Sequence, residues 1–412
     1  MLEIQLNSWN QEKNNLKKNI VIISGSYPTN GILTLTSYFS HSLLSNKDFK
    51  KKYNLKILIF NENLYLKTKK TIFNIILFLK NNILNQNNRI HKFAYTAKQF
   101  IMDNKEIEKY IHLYSKESDF KKHKPNIIFP TLIPSNPRSY LSIGYIYDFQ
   151  HEDLPNLFSK SEKETRDRLF LKTIRYNDYI FVNSNFVRQK ILKKYEVSKN
   201  KIIRIPFLPY IQHDIEHNVI NRVKIKYEVN KKYFIICNHF WKHKNHEIAF
   251  KAFSKYLKQY PDYQLVCTGD INDTRDVSYF KKLRKKYKNY IETKKILILG
   301  VLPRKEQLSL LKGAIAVIQP TLYEGGPGGF SAYEAIAFKK KLILSDIKVN
   351  KEIHHKDVFF FKNNSSTELL KIMIYLNKKN INYKNKKKII KDSQKNKKLL
   401  GLFLYKLINK IN

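Results

Sequence analysis

The chain has 412 residues and a formal charge of +43, from 77 Lys+Arg against 34 Asp+Glu. At 42% hydrophobic and 13% aromatic residues it can bury sizeable cores, which excludes wholesale disorder, and with 11 Gly and 12 Pro it is not a collagen-like or Pro/Gly low-complexity polymer. The length favours two domains over one.

Short apolar runs alternate with helical patterns. Strands are expected at 19–24, 55–60, 126–129, 143–147, 179–183 and 201–205, with helices at 31–45 and 185–195. Residues 61–125 are Lys/Asn-rich and yield no clear reading. Pro206-Phe-Leu-Pro209 breaks the alternation, and the polar stretch to about 232 reads as a linker. Strands follow at 233–238, 264–268, 296–300, 314–319 and 341–345, with helices at 246–260, 277–287, 305–312, 331–338 and 366–376. The division is 1–208 and 233–380 as two domains, 209–232 as the linker and 381–412 as a basic amphipathic tail. Each series is an α/β pattern with a parallel sheet, so two doubly wound domains facing a central cleft are expected.

The N-terminus, residues 1–18, lacks the apolar core of a secretory signal, and the best apolar run, 72–79, is about half a membrane span. Cys237 and Cys267 fit neither a zinc spacing nor a disulfide framework. These features read as a soluble cytoplasmic protein. Eleven of the 77 basic residues are arginine, and Lys, Asn, Ile, Tyr and Phe all have A/T-rich codons, so mutational bias supplies much of the charge. The alternatives are an anionic membrane surface or a polyanion. Nucleic acid is not expected, because no zinc-finger, RNA-recognition or basic-zipper pattern is present.

Four of the 11 glycines fall between Gly325 and Phe330, in Glu324-Gly-Gly-Pro-Gly-Gly-Phe-Ser-Ala-Tyr-Glu334. The segment follows a strand and opens a helix, an arrangement that lets backbone approach a ligand and presents N–H groups to an anion. Ser331 and Glu334 also have capping-box spacing, a structural reason for the acid. Glu324 has none, and is placed to accept sugar hydroxyls. A second segment, Asn238-His-Phe-Trp-Lys-His-Lys-Asn-His246, gathers Lys242, His243, Lys244 and His246 at a helix start, where the dipole disfavours cations unless an anion binds; a solvated basic turn is the alternative. No two aspartates are separated by one residue, so a D-x-D metal clamp is missing, and no metal and no cofactor are expected. The fingerprints of dinucleotide enzymes, P-loop NTPases, serine hydrolases and zinc proteases are also missing.

In this order the two segments resemble retaining glycosyltransferases of family 4 (glycosyl transferases group 1), which have the GT-B fold. The resemblance runs from about residue 19 to 361. Phe240-Trp-Lys-His-Lys-Asn-His246 resembles the donor-diphosphate lysine segment; Gly300-Val-Leu-Pro-Arg304, Gln319-Pro-Thr-Leu-Tyr-Glu-Gly325 and Tyr333-Glu-Ala-Ile-Ala337 resemble the blocks around base, transferred sugar and ribose. Asp148-Phe-Gln-His151 and Asn183-Ser-Asn185 resemble the first domain's sugar-contacting and post-strand segments. The resemblance implies an NDP-sugar-dependent hexosyltransferase that moves a mannose-like or glucose-like unit to a glycan or lipid-linked acceptor, with retention, in surface polysaccharide synthesis. It implies catalytic roles for Lys244, Glu324 and His151, and donor contacts from Gly31, His239, Leu302, Gly328, Gly329, Phe330 and Glu334. Three departures stand out. The acid pair is spaced wider than in the family, His239 replaces its usual arginine, and the N-terminal loop ends in Gly31 alone. An inactive GT-B scaffold that binds glycan or polyanion is the alternative these departures motivate.

In the tail Leu400, Phe403, Leu404, Leu407, Ile408 and Ile411 form one apolar stripe beside ten lysines between 384 and 410. It either packs on the protein or lies on an anionic membrane.

Overall fold

The structure, a computed structural model, describes residues 17–24, 30–60, 97–116, 118–131, 139–212, 214–273, 275–378 and 386–411. The apolar run at 72–79 and residues 25–29 of the N-terminal glycine loop lie outside these. Among the described residues thirteen strands form two sheets. The first contains β1 (Lys18–Ile23), β2 (Tyr53–Phe60), β3 (Ile111–Tyr114), β4 (Ile127–Thr131), β5 (Leu141–Tyr145), β6 (Tyr179–Val182) and β7 (Ile202–Arg204), in the order β3-β2-β1-β4-β5-β6-β7. The second contains β8 (Lys232–Cys237), β9 (Tyr263–Thr268), β10 (Ile296–Ile298), β11 (Ala316–Gln319), β12 (Lys341–Ser345) and β13 (Val358–Phe361), in the order β10-β9-β8-β11-β12-β13. In both, the sequence grows one way from the first strand and then restarts on its other side, which is the doubly wound pattern.

The chain forms two compact units. One comprises the described residues of Met1–Tyr145, Phe170–Phe181 and Lys398–Asn412, and the other those of Ile146–Leu169 and Val182–Lys397. Residues 146–169 and 182–208, which the sequence division put in the first domain, therefore group with the second unit.

Parallel strands covered on both faces need apolar residues on both faces. All six residues of β9 are buried, and so are the last four of β1. Phe39 of the helix Asn30–Leu44 packs on Phe129 and Phe181 at 5.8 and 5.7 Å between ring centroids, anchoring the first unit's core. In the second unit the helix His246–Leu257 buries Ile248, Ala249, Phe250, Ala252, Phe253 and Tyr256, the spacing of a broad apolar face.

Four elements depart from expectation. The helix Lys160–Tyr176 is polar for most of its length and buries only Phe170, Thr173 and Ile174, so it carried little periodicity. The expected linker contains the helix His217–Lys226, which buries Ile220 and Val223. Strands β3 and β13 are four-residue edge strands, too short for a pattern. The tail, by contrast, forms the one helix expected of it, Lys386–Ile411, with Leu400, Leu404 and Ile408 buried. Its apolar stripe is thus consumed by packing, and Asn409 accepts from the Tyr53 hydroxyl at 2.9 Å. No helix among the described residues is long and apolar enough to cross a membrane.

Candidate active site

Strands β8 and β11 are neighbours at the point where strand order reverses, and the loops leaving the carboxyl ends of strands at such a switch point are where doubly wound folds commonly hold ligands. Those loops carry the two segments singled out above. Lys244 Nζ lies 2.5 Å from Glu324 Oε1, with about one eighth of each side chain exposed. Eighty residues separate the two in sequence, and the pairing of β8 with β11 is what brings them together.

Both loops are fixed by buried hydrogen bonds. The His243 carbonyl accepts from Leu322 N at 2.8 Å and from the Thr321 hydroxyl at 3.3 Å, tying lysine loop to glycine loop. Gln319, at the end of β11, donates to the Gly328 carbonyl at 3.1 Å and to the Ser331 hydroxyl, and accepts from Asn238. Asn350 Oδ1 accepts from Gly328 N at 2.8 Å. Gly328 and Gly329 both have φ of +63°, a region that costs residues with a Cβ about 1 kcal/mol or more. The helix Gly329–Ala337 then starts with no side-chain cap. The expected capping box is not formed, because Ser331 is held by Gln319 and Glu334 turns to Arg304.

Gly325 permits a close approach. A Cβ there would fall 1.7 Å from the Tyr147 carbonyl oxygen. The Ser184 hydroxyl donates to the Gly325 carbonyl at 2.7 Å while accepting from Val187 N at 3.1 Å, so one side chain caps the helix Asn185–Lys194 and holds the glycine loop. Phe149 N donates to the Tyr323 hydroxyl at 2.8 Å. These contacts set segment 147–151 beside Glu324.

His151 sits in that segment, almost wholly buried. Arg166 Nε donates to its Nδ1 at 3.2 Å, and a guanidinium can only donate, so the imidazole proton is on Nε2, 2.9 Å from Asp167. Arg166 also pairs with Asp148. Burial raises the Asp167 carboxyl, but hydrogen bonds from Lys194 and His151 outweigh it and the net shift is downward. His151, Glu152 and Asp167 lie close enough together to suggest a cation site, and the Lys194 ammonium bonds both acids at 2.6 Å, making the cluster an internal ion-pair network. Arg166, Asp167 and Lys194 gave no sequence signal, since their significance depends on partners 15 to 42 residues away.

The histidines of the lysine segment are not the cations expected. His246 is fully buried and stacked on Phe240 at 4.0 Å, and burial lowers its pKa to about 3. Burial lowers His243 as well, with Lys244 adding repulsion. His239 Nδ1 accepts from Asp270 N at 2.9 Å. Glu334 is buried against Arg304; burial pushes its carboxyl up, and the guanidinium opposes this. Arg304 Nη1 donates to Gln307 at 2.9 Å, and Gln307 to Thr268 at 3.1 Å. Leu302 packs against the core, and the Phe330 ring lies 5.9 Å from Tyr333. Gly31 is an exposed residue in the first turn of the helix Asn30–Leu44 of the first unit.

Residues 220–396 match the family model described as Glycosyl transferases group 1. A mannosyltransferase of Kluyveromyces lactis, "Alpha-1,3/1,6-mannosyltransferase ALG2", is 29% identical over 114 residues, 27% of this chain. The alignment spans about a fifth of that relative's length, at 22%. Sucrose-phosphate synthase from Thermosynechococcus elongatus aligns over 96% of this chain and 99% of its own at TM-score 0.61 and 11% identity. Anabaena Alr3699/HepE in complex with UDP-glucose aligns over 93% and 94% at 0.59 and 12%, and a glycosyltransferase from Rickettsia africae over 94% and 93% at 0.54 and 17%. These likenesses establish the GT-B fold, two Rossmann-like α/β domains on parallel sheets of seven and six strands. The chain resembles the GT-B glycosyltransferases of family 4, and its residues 220–396 match the model of glycosyl transferases group 1.

Proposed function

We propose that the protein is a retaining glycosyltransferase that moves a hexose from a nucleotide-diphosphate sugar to a glycan or lipid-linked acceptor in surface polysaccharide synthesis. The observation that carries this is the Lys244–Glu324 pair at the switch point, beside a glycine turn that opens an uncapped helix. Lys244 and the helix N-terminus suit a departing diphosphate, and Glu324 suits the hydroxyls of the transferred sugar. In the reaction the bond from the anomeric carbon to the diphosphate oxygen breaks, the acceptor hydroxyl oxygen bonds that carbon on the same face, and the hydroxyl proton passes to the departing diphosphate. No divalent metal or cofactor is required in this reading, because lysine and backbone dipoles meet the leaving charge. His151, which accepts from Arg166 at Nδ1 and meets Asp167 at Nε2, is positioned by these two residues near the transferred sugar. The mannosyltransferase relative and the UDP-glucose bound to HepE support a hexosyl donor. A lipid-linked acceptor would place the enzyme at the inner face of the membrane, reached through exposed lysines of the tail helix.

The test is release of UDP, GDP or ADP from a panel of sugar nucleotides with saccharide acceptors. Turnover lost in Lys244→Met supports the reading. A chain that binds nucleotide and turns over none of the donors would instead be an inactive scaffold.

A further inference from the structure

A diphosphate carries two or more negative charges, and the segment that should meet it offers fewer cations than its composition promises. His243 and His246 are buried and neutral, His239 spends Nδ1 as an acceptor, and Lys242 is turned to Asp276 at 3.1 Å with half its side chain in solvent. Lys244 is the remaining inward cation of the segment, and it already faces Glu324.

Arg275 enters from the loop after β9. Its guanidinium lies 5.3 Å from the Trp241 ring centroid, within the lysine segment, and 5.0 Å from that of Phe158. Asp273 accepts from the Arg275 backbone N at 3.0 Å and from Lys242 N at 2.8 Å, so one carboxylate fixes both loops together. Arg275 Nη1 donates to Gln150 Oε1 at 3.0 Å. That bond orients the Gln150 amide, because a guanidinium must meet the oxygen, and it leaves Nε2 as a donor. Gln150 Nε2 is buried and has no hydrogen-bond partner among the described residues, although an unmet buried donor costs about 1–3 kcal/mol. An acceptor arriving at this point would relieve that cost. A half-buried guanidinium over the Trp241 ring, with Asp273 Oδ1 3.7 Å from its Nε and its Nη1 directed to Gln150, and an unmet amide donor beside it are the complement of a phosphate oxygen.

We propose that Arg275, with the Gln150 amide it orients, contacts the diphosphate of the donor and supplies the positive charge that the histidines of the lysine segment do not. The inference rests on the sugar-nucleotide reading above. It makes Arg275 a substrate-contacting residue of the leaving group, acting beside Lys244.

The experiment is titration calorimetry of the full chain with UDP, GDP and ADP, on wild type, Arg275→Met, Arg275→Lys and Arg275→Met combined with His239→Arg. The expected result is binding of at least one nucleotide by wild type and about tenfold weaker binding by Arg275→Met. Arg275→Lys should fall between them, and the double variant should regain affinity because a guanidinium returns to the same segment. Wild-type affinity in Arg275→Met overturns the inference alone, leaving the sugar-nucleotide reading intact. Failure of wild type to bind any of the three overturns both. Should Arg275→Met unfold, Gln150→Leu takes its place, and unchanged affinity in that variant is the overturning result.

Discussion

Lys244 and Glu324 form a closed, mostly buried ion pair at the carboxyl ends of adjacent strands. In the proposed reaction a donor would open it, with the diphosphate taking the ammonium and a sugar hydroxyl taking the carboxylate. The two partners should therefore fail differently. Glu324→Gln is expected to lower turnover by about 100-fold while nucleoside diphosphate binds as well as in wild type or better, because Lys244 is released. Lys244→Met should weaken both. Measuring nucleotide affinity and kcat separately checks this, and parallel losses in both variants would contradict it.

Gly325→Ala places a methyl group 1.7 Å from the Tyr147 carbonyl. Backbone cannot yield as a flexible side chain can, so the glycine loop must shift away from segment 147–151. The prediction is a loss of transfer activity of at least tenfold, with a drop in thermal midpoint of several degrees. Calorimetry with an activity assay on the same preparation measures both, and wild-type activity would show that the contact is dispensable.

Two buried bases give two successive pH windows in which stability should rise with pH. His246 has its pKa lowered to about 3 by burial, against an ordinary 6.5, so the unfolded chain takes up a proton that the fold refuses. The stability is intact above about 6.5 and is lost as pH falls toward 3, at about 1.4 kcal/mol per pH unit at most. His246→Phe, which keeps a ring against Phe240, should flatten the acid side of the stability curve. Lys340 is lowered from 10.5 to about 7 by burial, with Lys312 adding repulsion, so stability should rise with pH from about 7 to 10.5. Lys340→Met should raise the midpoint at pH 7 and remove that rise; identical slopes in wild type and variant would refute the assignment.

The tail helix spends its apolar stripe on packing, so Leu404→Ala should cost about 2–5 kcal/mol, read from denaturant unfolding. Any membrane contact would then use the exposed Lys391, Lys395 and Lys398, and would be electrostatic. Glutamine at these three positions should abolish cosedimentation with anionic vesicles at low salt without changing the midpoint. Binding that persists at high salt would instead point to apolar insertion.

Strands β8, β9, β11 and β12 were legible because buried parallel strands read as continuous apolar runs between turn signals. The helix Lys160–Tyr176 was not, because most of its surface faces solvent and its few buried residues cluster at one end. In the site, Lys244 and Glu324 stood out through local context, a basic run and a glycine run. Arg275 and Arg166 had no such context, since each is a single arginine in a polar segment whose partners come from elsewhere in the chain.

By itself the sequence determined two α/β series, the glycine turn after β11 and the lysine segment after β8, because local propensity, apolar runs and loop composition act over neighbouring residues. The tertiary structure decided which charges survive. Burial neutralised His243 and His246, turned Glu334 from a helix cap into a partner of Arg304, and set Arg275 against Trp241. Ionisation and pairing depend on desolvation and on groups tens of residues away, and folding brings those groups within reach.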